Sequence, residues 1–170
     1  MSQSIYDLTV PTLVRALSSL QVVLDKGRAH AEAEKIDPAV LLNMRLYPDM
    51  FALTRQVQIA TDNAKGCVAR LAQQDPPKYA DDESSFAQLQ ARLDKTIQYL
   101  RQFQPRQLEG AGERPVELKF PQRTFPFKSG WDYVLTFVLP NVYFHCTTAY
   151  DILRHAGVKV SKGDFLGNLS

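Results

Sequence analysis

Apolar residues recur at steps of three and four over four long stretches of the chain, the spacing that collects them on one face of an α-helix. These stretches are residues 6–33, 48–71, 86–103 and 130–156. Four amphipathic helices without alternating strands and helices are typical of bundles, in which each helix buries its apolar face against the others. The pattern therefore predicts an all-α protein that folds as an antiparallel four-helix bundle.

A different pattern separates the third and fourth predicted helices. Residues 116–120 and 124–127 alternate apolar and polar side chains, which is typical of β-strands. Pro126 confines the second of these strands to a sheet edge, because proline has no N–H to donate. The sequence therefore predicts a β-hairpin insert at about residues 115–128, which needs support from the neighbouring helices.

Composition narrows the class of protein. The chain has 170 residues, 45% hydrophobic and 22% charged, which is ordinary for a single folded domain over residues 1–170. Its net charge of +2 creates too weak a field to favour nucleic acid as a partner. No run of about 18 apolar residues is present, so no membrane partner is expected. Cys67 and Cys146 lie inside helical patterns, which indicates two buried thiols in the reducing cytoplasm.

The fourth predicted helix carries polar residues on its apolar face. Pro140 removes one backbone hydrogen bond there, so the helix is expected to bend and to open a small cavity. Two side chains four residues apart on a helix can hold one metal ion, and Gln56 of the second helix is the best placed third ligand. The alternative is a buried histidine that only makes hydrogen bonds. The face expected to point inward comprises Val134, Val138, Asn141, His145, Thr148 and Ile152.

Residues 145–157 resemble the last helix of the DinB/YfiT-like superfamily of metal-dependent helical bundles. That helix carries two histidines four residues apart, followed about two turns later by Leu-Arg and then by a glycine. Here His145 stands in the place of the second histidine, and Leu153, Arg154 and Gly157 follow in register. Asn141 stands in the place of the first histidine. The segment that corresponds to the third histidine of the family, residues 53–60, contains none.

Nearly the whole chain is similar to one branch of this superfamily, which is catalogued only as a domain of unknown function. The resemblance implies a DinB/YfiT-like four-helix bundle without an assigned activity. Relatives elsewhere in the superfamily include thiol-dependent transferases and hydrolase-like enzymes that use a divalent metal, and dimers are frequent. The matching features are residues 5–11, 46–51 and 55–58, the hairpin before Trp131, and residues 137–145.

Two functional hypotheses follow, and the sequence leaves open whether the protein is an enzyme. In the first, His145, Asn141 and Gln56 form a degenerate site for a divalent metal, nickel or zinc, between the second and fourth helices. In the second, a non-catalytic homodimeric bundle binds a small molecule or a protein. Its contact surface would be the hairpin phenylalanines Phe120, Phe125 and Phe127. In the first hypothesis, Tyr47, Arg55, Tyr143 and Tyr150 are expected to line or gate the cavity that holds the metal.

Overall fold

The computed structural model describes residues 4–120 and 122–167. Four long helices dominate the described part of the chain, and a two-stranded antiparallel hairpin precedes the last of them, which confirms the predicted bundle with its insert. None of the described helices has both the length and the apolar character needed to cross a membrane. The elements are α1 (Ile5–Glu34), α2 (Pro38–Asn43), α3 (Leu53–Leu71), α4 (Phe86–Arg101), a 3-10 helix (Pro105–Leu108), β1 (Val116–Phe120), β2 (Arg123–Phe127), α5 (Gly130–Tyr133), a π-helical segment (Val134–Val138), α6 (Leu139–His155) and α7 (Lys162–Leu166).

Serine side chains define the starts of several helices. Ser4 accepts the N–H of Asp7 and donates its own N–H to the Asp7 carboxylate, so α1 begins with a capping box. Ser85 and Ser129 cap α4 and α5 in the same position. Helix α6 ends at His155 and is followed, after Ala156, by Gly157, whose φ of 91° lies in the left-handed region that favours glycine. These local signals explain why the predicted ends of α1 and α4 agree with the structure.

The core lies where α1 and α3 each pack against both α4 and α6. This arrangement places α1 and α3 at opposite corners of the bundle. Gly27 permits the close approach of α1, since a Cβ at this position would lie only 3.0 Å from Leu153 and 3.3 Å from Phe86. The fully buried side chains at the centre include Leu13, Leu17, Leu24, Leu53, Leu89, Leu93 and Ile152.

Helix α3 runs antiparallel to α6. Gln56, near the start of α3, contacts His145, whereas Arg70, near its end, contacts Tyr133 at the start of the last helical region. Helix α1 runs antiparallel to α4 in the same way, because Gln21 binds Asp94 while Gly27, further along α1, packs against Phe86 at the start of α4. The four long helices therefore form two antiparallel pairs.

Helices α3 and α4 point in the same direction. Glu83 binds both Gln58 of α3 and Arg92 of α4, and Tyr79 lies beside Lys65 of α3 and Lys95 of α4. Residue numbers thus rise together along both helices and fall along the segment between them. Residues 72–85, which we name the crossover segment, consequently run back along the seam between α3 and α4.

Two helix assignments differ from the sequence-based prediction. Helix α3 begins at Leu53 rather than near Pro48, because the chain is irregular from 44 to 52 and the Leu53 N–H donates to the carbonyl of Met44. The last helix is interrupted by the π-helical segment, which precedes Pro140. Val138, His145, Thr148 and Ile152 are nevertheless buried as predicted. Asn141 is only half-buried instead of fully inward, and its neighbour Val142 is buried.

The chain beyond Gly157 folds back onto α1 through α7. Lys26 of α1 forms an ion pair with Asp164 of α7, with 2.7 Å between nitrogen and oxygen. Phe165 packs edge-on against Tyr150 of α6 at 6.1 Å between ring centroids. The tail is therefore a docked extension as far as residue 167, while Pro121 of the predicted hairpin turn and residues 168–170 lie outside the described residues.

Candidate functional site

His145 and Gln56 meet between α6 and α3, as their inward positions predict. His145 is 8% exposed, and its Nδ1 lies 2.6 Å from Oε1 of Gln56. Nε2 of Gln56 donates to the carbonyl of Phe51 at 2.9 Å. Because the amide nitrogen is engaged there, the amide oxygen faces the ring and accepts, so Nδ1 of His145 carries the proton.

This hydrogen bond leaves the second ring nitrogen of His145 unprotonated. Burial lowers the pKa of His145, and the positive charge of Arg55 lowers it further, so the ring is neutral at pH 7. Nε2 has no hydrogen-bond partner among the described residues. It is accessible to solvent, because it is not among the fully buried polar atoms that lack a partner. Nε2 therefore presents a lone pair that can accept a hydrogen bond or bind a metal ion.

The donor set around His145 fits a divalent metal poorly. Zinc and nickel favour several imidazole or thiolate ligands, and the described residues contain no group of three His, Cys, Asp or Glu side chains that could hold an ion. Of the two other predicted ligands, Gln56 already uses its oxygen on His145. Asn141 donates its amide to the carbonyl of Phe137 at 2.8 Å. The nearby charge of Arg55 also opposes a cation, so metal binding at these three residues stays a prediction.

A cleft of about 330 Å³ lies one helical turn away from His145, between α3, the π-helical segment and the hairpin. Asn141 reaches this cleft, whereas Gln56 and His145 do not line it. The π-helical segment contributes Phe137 to the cleft, whereas Pro140 is exposed and does not line it. The residues that line the cleft are Arg55, Ile59, Asp62, Asn63, Arg70, Leu118, Phe120, Phe137 and Asn141.

Two asparagines point their oxygens away from the backbone at this cleft. Asn63 donates to the carbonyl of Ile59 at 3.0 Å, and Asn141 donates to that of Phe137. Both amide nitrogens are thus used on the residue four positions earlier in the same helix. The Oδ1 atoms accept no hydrogen bond from any described residue, so each remains available to a donor from a bound molecule.

Arg70 occupies the other end of the cleft. Its Nη1 donates to Oη of Tyr133 at 3.1 Å, and within the described part of the chain it forms no ion pair with a carboxylate. A Cβ at Gly66, one turn earlier on α3, would overlap Nη1 of Arg70. Burial raises the pKa of Tyr133, which keeps its hydroxyl neutral beside the guanidinium. The sequence analysis missed Arg70, although its four-residue spacing from a helical glycine was visible.

A second polar cluster fills the seam between α3 and α4. The Arg92 side chain is 2% exposed and forms ion pairs with Asp62 at 2.8 Å, Asp81 at 2.7 Å and Glu83 at 2.9 Å. It also donates to Thr61 Oγ1 at 2.7 Å. Although burial disfavours its charge, the hydrogen bond to Glu83 and the nearby carboxylates outweigh burial and raise the pKa of Arg92. We name these five residues the Arg92 cluster.

The sequence analysis also missed the Arg92 cluster. Arg92 lies three residues after Leu89 and four before Thr96, within the apolar face of α4, and a charged residue at such a position was the available signal. Tyr79 covers the cluster from the crossover segment, with its ring centroid 5.0 Å from the Arg92 guanidinium. Arg55 joins the cluster to the cleft, because it binds Asp81 at 2.7 Å and also lines the cleft.

The remaining predicted site residues lie at the surface or in the core. Tyr47 and Tyr143 are exposed, and Tyr150 packs against α7. Of the hairpin rings, Phe120 is half exposed, whereas Phe127 packs on Phe137 at 5.7 Å between centroids. The two cysteines, Cys67 and Cys146, are free and buried, and burial raises the pKa of each thiol to about 12. Both thiols are thus protonated at neutral pH.

Comparison with known proteins identifies the family. A family described as Domain of unknown function (DUF1993) matches residues 5–166. The chain belongs to this family. This DUF1993 protein is also similar to a crystal structure of a DinB family member protein from Shewanella denitrificans, to which it is 41% identical with a TM-score of 0.88. The alignment covers 97% of this chain and 93% of that one. No curated protein matches the chain.

Proposed function

We propose that this DUF1993 protein binds a small organic molecule in the cleft between α3 and α6. The observation that carries the proposal is a set of polar groups without protein partners, on Asn63, Arg70 and Asn141, in a cleft with apolar walls. Its volume of about 330 Å³ lies at the lower end of small-molecule sites. A few convergent polar groups among apolar side chains are what orients a ligand in such sites.

The His145–Gln56 pair holds one end of this site in place. Gln56 links α6 to the irregular segment before α3, because its amide bonds both His145 and the carbonyl of Phe51. Two residues that line the cleft are close to this pair in the sequence: Arg55 directly precedes Gln56, and Asn141 lies one turn before His145. A fixed contact between α3 and α6 at this level therefore fixes the position of both lining side chains.

Titration with 1-naphthoate and its neutral analogue 1-naphthamide tests the proposal. We expect amide NMR signals of the cleft residues, including the side-chain amides of Asn63 and Asn141, to shift with saturation. Ile59→Trp should abolish this binding by filling the cleft. Val22→Trp, at an exposed position of α1, is the matched control and should bind normally. Absence of saturable shifts with both compounds, or binding unaffected by Ile59→Trp, would show that the cleft is not the site.

The metal hypothesis is tested on the same protein. We expect elemental analysis after purification without a metal-affinity step to find well under one nickel or zinc per chain, and added metal to leave the melting temperature unchanged. A stoichiometric metal that His145→Gln removes would instead support the degenerate site of His145, Asn141 and Gln56. In that case the cleft proposal would have to include the ion.

A cytoplasmic homodimer is part of this proposal. Three large apolar side chains, Tyr47, Phe51 and Phe144, are exposed. A second copy would remove such side chains from water, and two free buried thiols support a reducing compartment. We expect light scattering to give twice the chain mass of 19.2 kDa. A monomer at micromolar concentration would contradict the dimer without affecting the ligand site.

A further inference from the structure

Three charged side chains line the cleft, and two of them are neutralised within the protein. Arg55 forms an ion pair with Asp81 at 2.7 Å. Asp62 forms ion pairs with Lys65 at 2.6 Å and with Arg92 at 2.8 Å. The third, Arg70, has only the neutral hydroxyl of Tyr133 as a side-chain partner among the described residues. The uncompensated charge of the cleft is therefore positive and located at Arg70.

Gly66 explains how Arg70 reaches this position. Glycine is among the least favourable residues inside a helix, and Gly66 does not adopt a left-handed conformation that would require it. The three atoms nearest to a Cβ built at Gly66 all belong to the Arg70 guanidinium. Gly66 thus leaves the space in which the guanidinium lies against α3, half-buried and directed into the cleft.

We propose that the ligand of this cleft is a small organic anion, whose carboxylate binds Arg70 and whose apolar body lies between Ile59, Leu118 and Phe137. A guanidinium offers a planar fork of N–H groups that matches a carboxylate, and only one of the terminal nitrogens of Arg70 is engaged with Tyr133. The side chains of Ile59, Leu118 and Phe137 supply apolar walls between the two ends of the cleft. This inference rests on the proposed function and names the ligand class of the same site.

The charge of the probe provides the first test. We expect the wild-type protein to bind 1-naphthoate at least tenfold more tightly than 1-naphthamide, measured by NMR titration. Arg70→Met keeps the aliphatic stem and should weaken naphthoate binding by about 10- to 100-fold, the range for a hydrogen-bonded charge, while naphthamide binding stays unchanged. Arg101→Met, at an exposed position in the last turn of α4, is the control and should change neither.

A second variant separates ligand binding from folding. Gly66→Ala displaces the Arg70 guanidinium and should weaken naphthoate binding at least fivefold. The same substitution favours the helix, so the unfolding midpoint should stay equal or rise. A loss of affinity in a protein that is at least as stable as the wild type could not be attributed to a damaged fold.

The possible outcomes distinguish the two proposals. Equal binding of naphthoate and naphthamide by the wild type and by Arg70→Met would overturn the anion inference and leave the proposed small-molecule site intact. Unchanged naphthoate affinity in Gly66→Ala would likewise contradict the role of Arg70 placement. Failure of both compounds to bind the wild type would remove the proposed function, and the anion inference with it.

Discussion

Helix α3 contributes polar side chains to two seams, which differ in whether a buried or half-buried arginine has carboxylate partners inside the protein. On the α4 side, Arg92 is surrounded by Asp62, Asp81 and Glu83, so the buried cation has three anionic partners. On the α6 side, Arg70 has no carboxylate partner among the described residues, and the asparagine oxygens are likewise unengaged. Since buried polar groups are normally satisfied, the first arrangement is explained by folding alone. The second is consistent with the proposed ligand site, because Asn63, Arg70 and Asn141 are half-buried and line the cleft.

The segments that cover the two seams account for this difference. The crossover segment carries Tyr79, Asp81 and Glu83 onto the α3–α4 seam, where they match its cations. The hairpin places Leu118 and Phe120 over the α3–α6 seam, and these side chains offer no charge to Arg70. The crossover segment therefore pairs the charge of Arg92, although its own Tyr79 hydroxyl is buried without a hydrogen-bond partner among the described residues. The hairpin instead leaves an open cleft.

Breaking the ion pairs of the Arg92 cluster should have the largest effect on stability. Arg92→Met removes the cation that three carboxylates share, and it should lower the free energy of unfolding by about 3 kcal/mol, as loss of one member of a buried ionic cluster does. Urea unfolding measures the loss. Arg101→Met, an exposed substitution of the same kind, should change stability by less than about 0.5 kcal/mol. Equal stability of the two variants would show that the Arg92 cluster does not contribute to the free energy of unfolding.

Removing the contact between His145 and Gln56 should have an intermediate effect. Gln56→Leu leaves the Nδ1–H of His145 without an acceptor, and we expect a loss of about 1–3 kcal/mol in urea unfolding. The ¹⁵N shifts of the imidazole should change from the Nδ1–H tautomer to the other. Gln98→Leu, on the exposed side of α4, is the control. A wild-type ring already protonated on Nε2 would contradict the hydrogen-bond assignment.

Acid should weaken the Arg92 cluster, and of the three changes it should have the smallest effect on stability. Burial favours the neutral forms of Asp81 and Glu83, but hydrogen bonds from Arg55, Arg92 and Gln58 outweigh it and lower the pKa of both carboxyls. Their stabilisation is therefore complete above the unfolded-state values of about 4 and is lost as the pH falls through the lower folded values. We expect the melting temperature to drop below about pH 4 and to drop less in Arg92→Met. Parallel curves for the two proteins would exclude this origin.

The parts of the structure that depend on local periodicity could be predicted from the sequence. The bundle, the hairpin and the burial of His145 all follow from spacing along single helices or strands. The start of α3 was wrong because residues such as Met50 continue the apolar pattern while the chain remains irregular up to Ala52. The π turn was missed because the sequence pattern shows a proline but not the extra residue that precedes it.

The candidate site was only partly predictable for a related reason. The contact between Gln56 and His145 joins two inward positions on facing helices, so helical spacing was sufficient to suggest it. The Arg92 cluster depends on Asp81 and Glu83, which lie in an irregular segment where no periodicity indicates direction. The exposure of Arg70 to a cleft depends on the hairpin above it, and no local pattern contains that information.

The parallel course of α3 and α4 has a kinetic consequence. No two consecutive long helices of this chain form an antiparallel hairpin, because the antiparallel pairs are α1 with α4 and α3 with α6. The pair formed by Gln56 and His145, for example, closes a loop of 89 residues. The contact between Gln21 and Asp94 in the other pair spans 73 residues. Because long loops have to close before either pair forms, we expect slower folding than in an up-and-down bundle of equal size.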